Sequence, residues 1–247
     1  MADNEHNSEY KKSKQLEIEA MIAGAEFIGS YLMLQSTDYP PLDSYLNDVE
    51  WSKQHEHTAI YNDFLTQLES VESSGIKADN SDIHLKMRFS YTVTLMESCL
   101  SEMLKSVTMQ YDACRRNAIN NIESLKNFKI DALSLLDKNP KEILDGLIMG
   151  FLTRTTYHQI DKVIKIYQHV VGKEISFRHG NVKDQISNLM ELRHDIVHRN
   201  GKDVDGNKID LTESNVKSYI NDIRMFIEDV HNYINQNIGN LSEKKTD

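Results

Sequence analysis

Apolar residues recur every three or four positions along most of the chain, the period of helices that bury one face. Over about Lys14 to Gln35 the stripe is Leu16, Ile18, Met21, Ile22, Ala25, Phe27, Ile28, Tyr31 and Leu32, and Pro40-Pro41 stops it. A second helical stretch, Ser44 to Glu72, has looser spacing and an expected break near Gln54. The segment 73–82, SSGIKADNSD, gathers the residue types of loops. From Ser81 the pattern predicts one long helical segment reaching Ile122. Another opens where Asn139 can cap and Pro140 fits the first turn, and it runs to Gly172, a C-cap candidate. A shorter helix is expected over Val182 to Leu192. Asp205-Gly206 then marks a tight turn or small hairpin. The last helix begins at Thr212 or Ser214 and carries the cleanest stripe: Val216, Ile220, Ile223, Phe226, Ile227, Val230, Tyr233 and Ile234.

These elements predict an all-α protein, and the 10 Gly and 3 Pro in 247 residues fit long helices better than a turn-rich sandwich or barrel. The expected organisation is a disordered tail (1–14), an N-terminal helical arm (15–75), a helical bundle (82–238) and a second tail (239–247). Met96, Met103, Met109, Met149, Phe151 and Met225 fall inside helical segments, as core-filling residues do.

Charge narrows the choice of partners. The formal net charge of −10 provides no global field that would draw the chain to nucleic acid, so any such contact has to be local. Residues 173–202 hold six Lys or Arg against four acids, an excess of two positive charges. The two cysteines, Cys99 and Cys114, are too few for a disulfide framework or a cysteine-rich zinc site. The polar N-terminus lacks a signal-peptide core and no run is long and apolar enough to span a bilayer, so the expected setting is cytoplasmic, without membrane association.

The densest chemistry lies in RHDIVHRNG, residues 193–201. Arginine keeps its charge and presents a planar fork of donors suited to phosphate oxygens. Histidine, ordinarily titrating near ~6.5, can take or give a proton at neutral pH. Arg193 and His198 together are a minimal set for helping an RNA 2′-hydroxyl attack the neighbouring phosphate, a reaction that brings its own nucleophile and needs no metal or other cofactor. In an uninterrupted helix, however, residues five apart point about 140° away from each other. Either the helix ends inside the motif or two copies of it meet across a two-fold axis.

The pattern of an arginine, a polar residue and a histidine five positions after the first, set between amphipathic helices near the end of an all-helical domain, resembles the HEPN superfamily. Arg199-Asn200-Gly201, the Asp-Gly turn before the final helix, and FSYTVTLMESCLSEML in the first core helix are similar to it as well. The resemblance covers roughly residues 82–238. It implies a helical bundle that dimerises around the motif, and a metal-independent endoribonuclease of a toxin–antitoxin, abortive-infection or antiviral system, with RNA as substrate and an antitoxin or defence protein as possible partner. Arg193 would then bind the scissile phosphate, His198 would act as general acid or base, and His194 would line the same cleft. Asp195, Arg199, Asn200 and Arg178 are candidate supporting or RNA-contacting residues. The overall acidity is a departure that bears on tight binding of long RNA.

Simpler readings compete. Asp195 and Arg199, four apart, can form a surface ion pair worth a few tenths of a kcal/mol. His194 and His198 have the spacing to share a metal ion, but a catalytic zinc normally needs a third protein ligand, and His57, His158, His169 and His179 lack supporting spacing. His55-Glu56-His57 is not a zinc-protease motif, and there is no glycine-rich phosphate loop. Arg115-Arg116 and Arg178-His179 are candidates to extend a groove. From another class comes a non-catalytic helical dimerisation or interaction module, since fold resemblance does not establish activity. A third reading is a toxin held silent until a partner or infection signal releases it.

Overall fold

A computed structural model describes residues 42–74, 81–129 and 139–242. The tail expected over 1–14 and the helix expected over 14–35 lie outside them. A 3-10 turn, Leu42–Tyr45, leads into α1 (Leu46–Gln54), α2 (His57–Ser74), α3 (Asp82–Gln110), α4 (Asp112–Asn121), α5 (Glu123–Lys126), α6 (Pro140–Arg154), α7 (Ile160–Val171), α8 (Val182–His198) and α9 (Glu213–Ser242). Among the described residues there is no strand beyond one isolated bridge, Lys202 with Lys208, so the protein is all-α. None of the described helices is long and apolar enough to cross a membrane.

Several ends are where local chemistry puts them. Asn139 accepts the Lys141 amide ahead of Pro140, and Gly172 closes α7 in the left-handed region at φ +79°. Thr212, rather than Ser214, caps α9, its hydroxyl accepting the Asn215 amide. The break expected near Gln54 falls at His55, whose carbonyl accepts from Ser106 Oγ and Gln110 Nε2.

Other boundaries differ from expectation. The single helix expected over 81–122 is three, because the backbone turns extended at Tyr111 and again at Ile122. The one expected over 139–172 is two, separated at Thr155, also extended, where β-branched Thr155-Thr156 takes the chain out of the helix. α9 continues to Ser242, past the tail expected from 239.

α3 is the axis of the bundle and packs against α1, α2, α4, α6, α8 and α9. Phe89, Val93, Met96, Leu100, Met103, Leu104 and Val107 have no exposed surface, each burial contributing about 1.5–3 kcal/mol. All eight stripe residues named for α9 are buried against it or its neighbours. Val49, Ile60, Phe64, Leu68 and Val71 belong to the same core, so the described part of the expected arm is packed into the bundle instead of standing off it.

α2 is tied to α9 by a polar cluster. His57 Nε2 donates to Asn235 Oδ1 at 2.8 Å, Asn235 Nδ2 donates to His231 Nε2 at 3.1 Å, and Thr58 Oγ1 lies 3.3 Å from the same nitrogen. Tyr61 stacks on the His231 ring, centroids 4.0 Å apart. Burial, aided by the neighbouring His57, pushes His231 down to about 4.

Two stability outcomes follow from this packing. Phe226 is fully buried and stacked on Phe177, so Phe226→Ala should cost about 3–5 kcal/mol in urea unfolding. The folded state favours a neutral His231, so its contribution is complete above the unfolded value of about 6.5 and is lost as pH falls toward 4. Between pH 7 and 4.5 the wild type should lose about 2 kcal/mol more than His231→Gln, and equal losses would show that His231 is not held neutral.

Candidate functional site

α8 does not stop at Leu192: it runs on through the motif to His198. The Arg199 amide donates to the Asp195 carbonyl at 3.1 Å, and the Gly201 amide donates to those of Asp195 and Ile196, both at 3.2 Å. Asn200 and Gly201 are both left-handed, at φ +56° and +72°. Asparagine tolerates that region better than most residues, so Asn200 has a backbone role in ending the helix. A Cβ on Gly201 would lie 2.8 Å from Lys86 Nζ, which ties this turn to the start of α3. Beyond it the Asp203 carboxylate accepts the amides of Asp205 and Asn207, and Gly206 turns the chain at φ +84°.

Continuation of the helix removes one of the two ways in which Arg193 and His198 might converge. His194 and His198 share a face, ring centroids 5.0 Å apart. Asp195 and Arg199 share another, with Arg199 Nε 3.3 Å from Asp195 Oδ1. Ile196 and Leu192 pack on the core. Val197 is 46% exposed, and at about 100° per residue it sits on the helix surface between Arg193 and His198.

Arg193 is half-buried, and its Nε is enclosed with no hydrogen-bond partner among the described residues. Glu97 of α3 is close enough to feel its charge. Burial pushes the Glu97 carboxyl up, against the charges of Arg193 and His158, which pull it down. His158 Nδ1 lies 3.8 Å from Glu97 Oε1. From Glu97 a groove of about 410 Å³ runs between α3 and the α6–α7 connection, lined by Ser101, Glu102, Lys105, Thr156 and His158 among others.

The structure thus gathers Arg193, His194, Asp195, His198, Arg199 and Asn200 at one end of α8, and separates Arg178 from them. Arg178 precedes the N-terminus of this 17-residue helix, whereas the motif begins about 16 Å along it by the helical rise. Its amide and Nε donate to Asp229, which also accepts from His179, so the Arg178-His179 pair braces a buried carboxylate. Arg115 is likewise paired, with Asp112 and the buried Asp145. Glu97 was not singled out in the sequence, and His158 was weighed there only as a metal ligand. The available signal was Glu97, one of two carboxylates in FSYTVTLMESCLSEML, directly after Met96. Among the described residues no three His, Cys, Asp or Glu side chains are grouped to hold a metal ion.

A family model described as RiboL-PSP-HEPN matches residues 56–236, a span that includes α2 as well as the motif. Neither a curated protein nor a solved structure matches the chain.

The Asp195–Arg199 pair is solvent-accessible on the arginine side. Asp195→Asn should therefore change unfolding stability by no more than about 0.5 kcal/mol. A loss of several kcal/mol would assign Asp195 to the fold and not to the site surface.

Proposed function

The chain belongs to the RiboL-PSP-HEPN family, and on that premise we propose that it is a metal-independent endoribonuclease whose chemistry is carried by Arg193 and His198. The observation that carries this reading is the half-buried Arg193, whose Nε has no hydrogen-bond partner among the described residues, on the same helix end as an accessible His198. A buried donor without a partner is costly unless something completes it, and a phosphate oxygen is suited to that role.

In the proposed reaction the ribose 2′-oxygen attacks the adjacent phosphorus. The O2′–P bond forms as the P–O5′ bond breaks, leaving a 2′,3′-cyclic phosphate and a 5′-hydroxyl. One histidine removes the 2′-hydroxyl proton and another supplies a proton to the departing O5′. The arginine stabilises charge on the non-bridging oxygens. One α8 carries Arg193 and His198 on diverging faces, so a two-fold pairing of motifs in a homodimer would supply both histidines and both arginines to one cleft. The exposed Val197 between them is a natural apolar contact for that pairing. His194, on the His198 face, would line the same cleft. The biological setting in this reading is antiviral defence or growth control, with a partner protein or trigger governing the activity.

Purified protein in EDTA should cut a labelled mixed-sequence RNA and leave the DNA counterpart intact, since DNA has no 2′-hydroxyl. Arg193→Ala and His198→Ala should each lower kcat/KM by about 10²–10⁴. Wild type and variants that are equally inert toward RNA would favour the non-catalytic interaction module.

A further inference from the structure

The groove that begins at Glu97 has no role in the reaction above. Five α3 residues, Glu97, Ser98, Ser101, Glu102 and Lys105, line one wall, and their spacing puts them on a single helical face. On the opposite wall are Thr155, Thr156, Tyr157 and His158. In a helix whose other faces are packed, this is a polar strip left open to solvent.

Its volume, about 410 Å³, lies in the roughly 300–1,000 Å³ range of small-molecule sites. Glu97 feels the charge of Arg193 and Glu102 does not, so the groove leads away from the motif. Glu102 lies about 7.5 Å farther along α3 by the helical rise. Burial pushes its carboxyl up while Lys105 and His55 pull it down. It is half-buried, and no hydrogen bond reaches it from the described residues. Ser98, Ser101, Thr155 and Thr156 line the same groove, and the His158 side chain there is 59% exposed.

We propose that this groove is a nucleobase subsite, that it takes a guanine flanking the phosphate held by Arg193, and that Glu102 determines the base. The inference rests on the ribonuclease reading for the position of the phosphate. Single-stranded RNA is read through splayed bases that stack on rings such as histidine and present their Watson–Crick edges. A carboxylate offers two acceptors and no donor. Guanine presents two adjacent donors, N1–H and the N2 amino group, and matches it. Adenine presents one donor beside an acceptor and uracil one donor between two carbonyls, so both set a lone pair against the carboxylate. The hydroxyls can turn to either role and tolerate the remaining atoms of the base.

The test uses the full chain carrying His198→Ala, which keeps RNA uncut, and fluorescence anisotropy with labelled short single-stranded RNAs that differ only by one G or A. The Glu102-intact protein should bind the G oligomer about tenfold more tightly. Adding Glu102→Gln, whose amide offers one acceptor and one donor, should remove that preference or turn it toward adenine. If the glutamine variant does not fold, Glu102→Asp, with the carboxylate drawn back by one methylene, should reduce the preference. Equal affinity for the two oligomers in the Glu102-intact protein, an unchanged preference in the variants, or no RNA binding would overturn the subsite. Cleavage by the wild-type chain is scored separately. Cutting without base preference sinks the subsite alone, and base-selective binding by a protein that never cuts sinks the ribonuclease reading alone.

Discussion

Because α3 packs against six neighbouring helices and buries an apolar face running from Leu85 to Met109, packing decides where its polar side chains point. Moving α3 would expose a column of residues each worth about 1.5–3 kcal/mol. Glu97 is therefore held within reach of the Arg193 charge, and the open polar strip from Glu97 to Lys105 stays between α3 and the α6–α7 connection. The same axis anchors the end of α8, through Lys86 beneath Gly201, and the following turn, through the Asp82 ion pair with Lys208. A rigid buried helix thus supports a site made from a helix terminus and two connections.

Electrostatics act locally. The chain carries ten more negative than positive charges, and several arginines that look available in the sequence are committed to carboxylates: Arg88 to Glu213, Arg115 to Asp145, Arg178 to Asp229. Arg88 also leaves Nε and Nη2 without a partner, but its Nη1 meets Glu213 directly at 2.6 Å, and Arg193 differs in having no such close ion pair among the described residues. It stands near Glu97 without a hydrogen bond at Nε, so its charge is balanced at a distance while a donor is left unused. That combination suits an anion that arrives and leaves better than a permanent structural pair does.

Much of the bundle was legible from periodicity, because the stripes of α8 and α9 are regular and the caps at Asn139, Gly172 and Thr212 are carried by residues with distinctive backbone chemistry. The breaks at Tyr111, Ile122 and Thr155 were not, since no glycine or proline marks them. At Tyr111 the stop coincides with Gln110 reaching across to the carbonyls of Ser52 and His55, a tertiary contact without a local signal. Clustering of Arg193, His194 and His198 was visible as spacing. Whether α8 ended before or after them depended on Asn200 and Gly201, which the sequence reading treated as motif neighbours although they form the helix stop. Glu97 and His158 join Arg193 only through folding, 96 and 35 residues away along the chain, and a one-dimensional pattern has no means of pairing them.

The central claim is that one α8 cannot complete the chemistry alone, because Arg193 and His198 leave it about 140° apart. Refolding the wild-type chain with an excess of the Arg193→Ala/His198→Ala double variant tests it most directly, because each heterodimer then holds one intact motif and one His198 where the reaction uses two. Cleavage per wild-type chain should fall toward that of the double variant as the heterodimer fraction rises. Cleavage that stays proportional to the wild-type chains while heterodimers form would contradict the account.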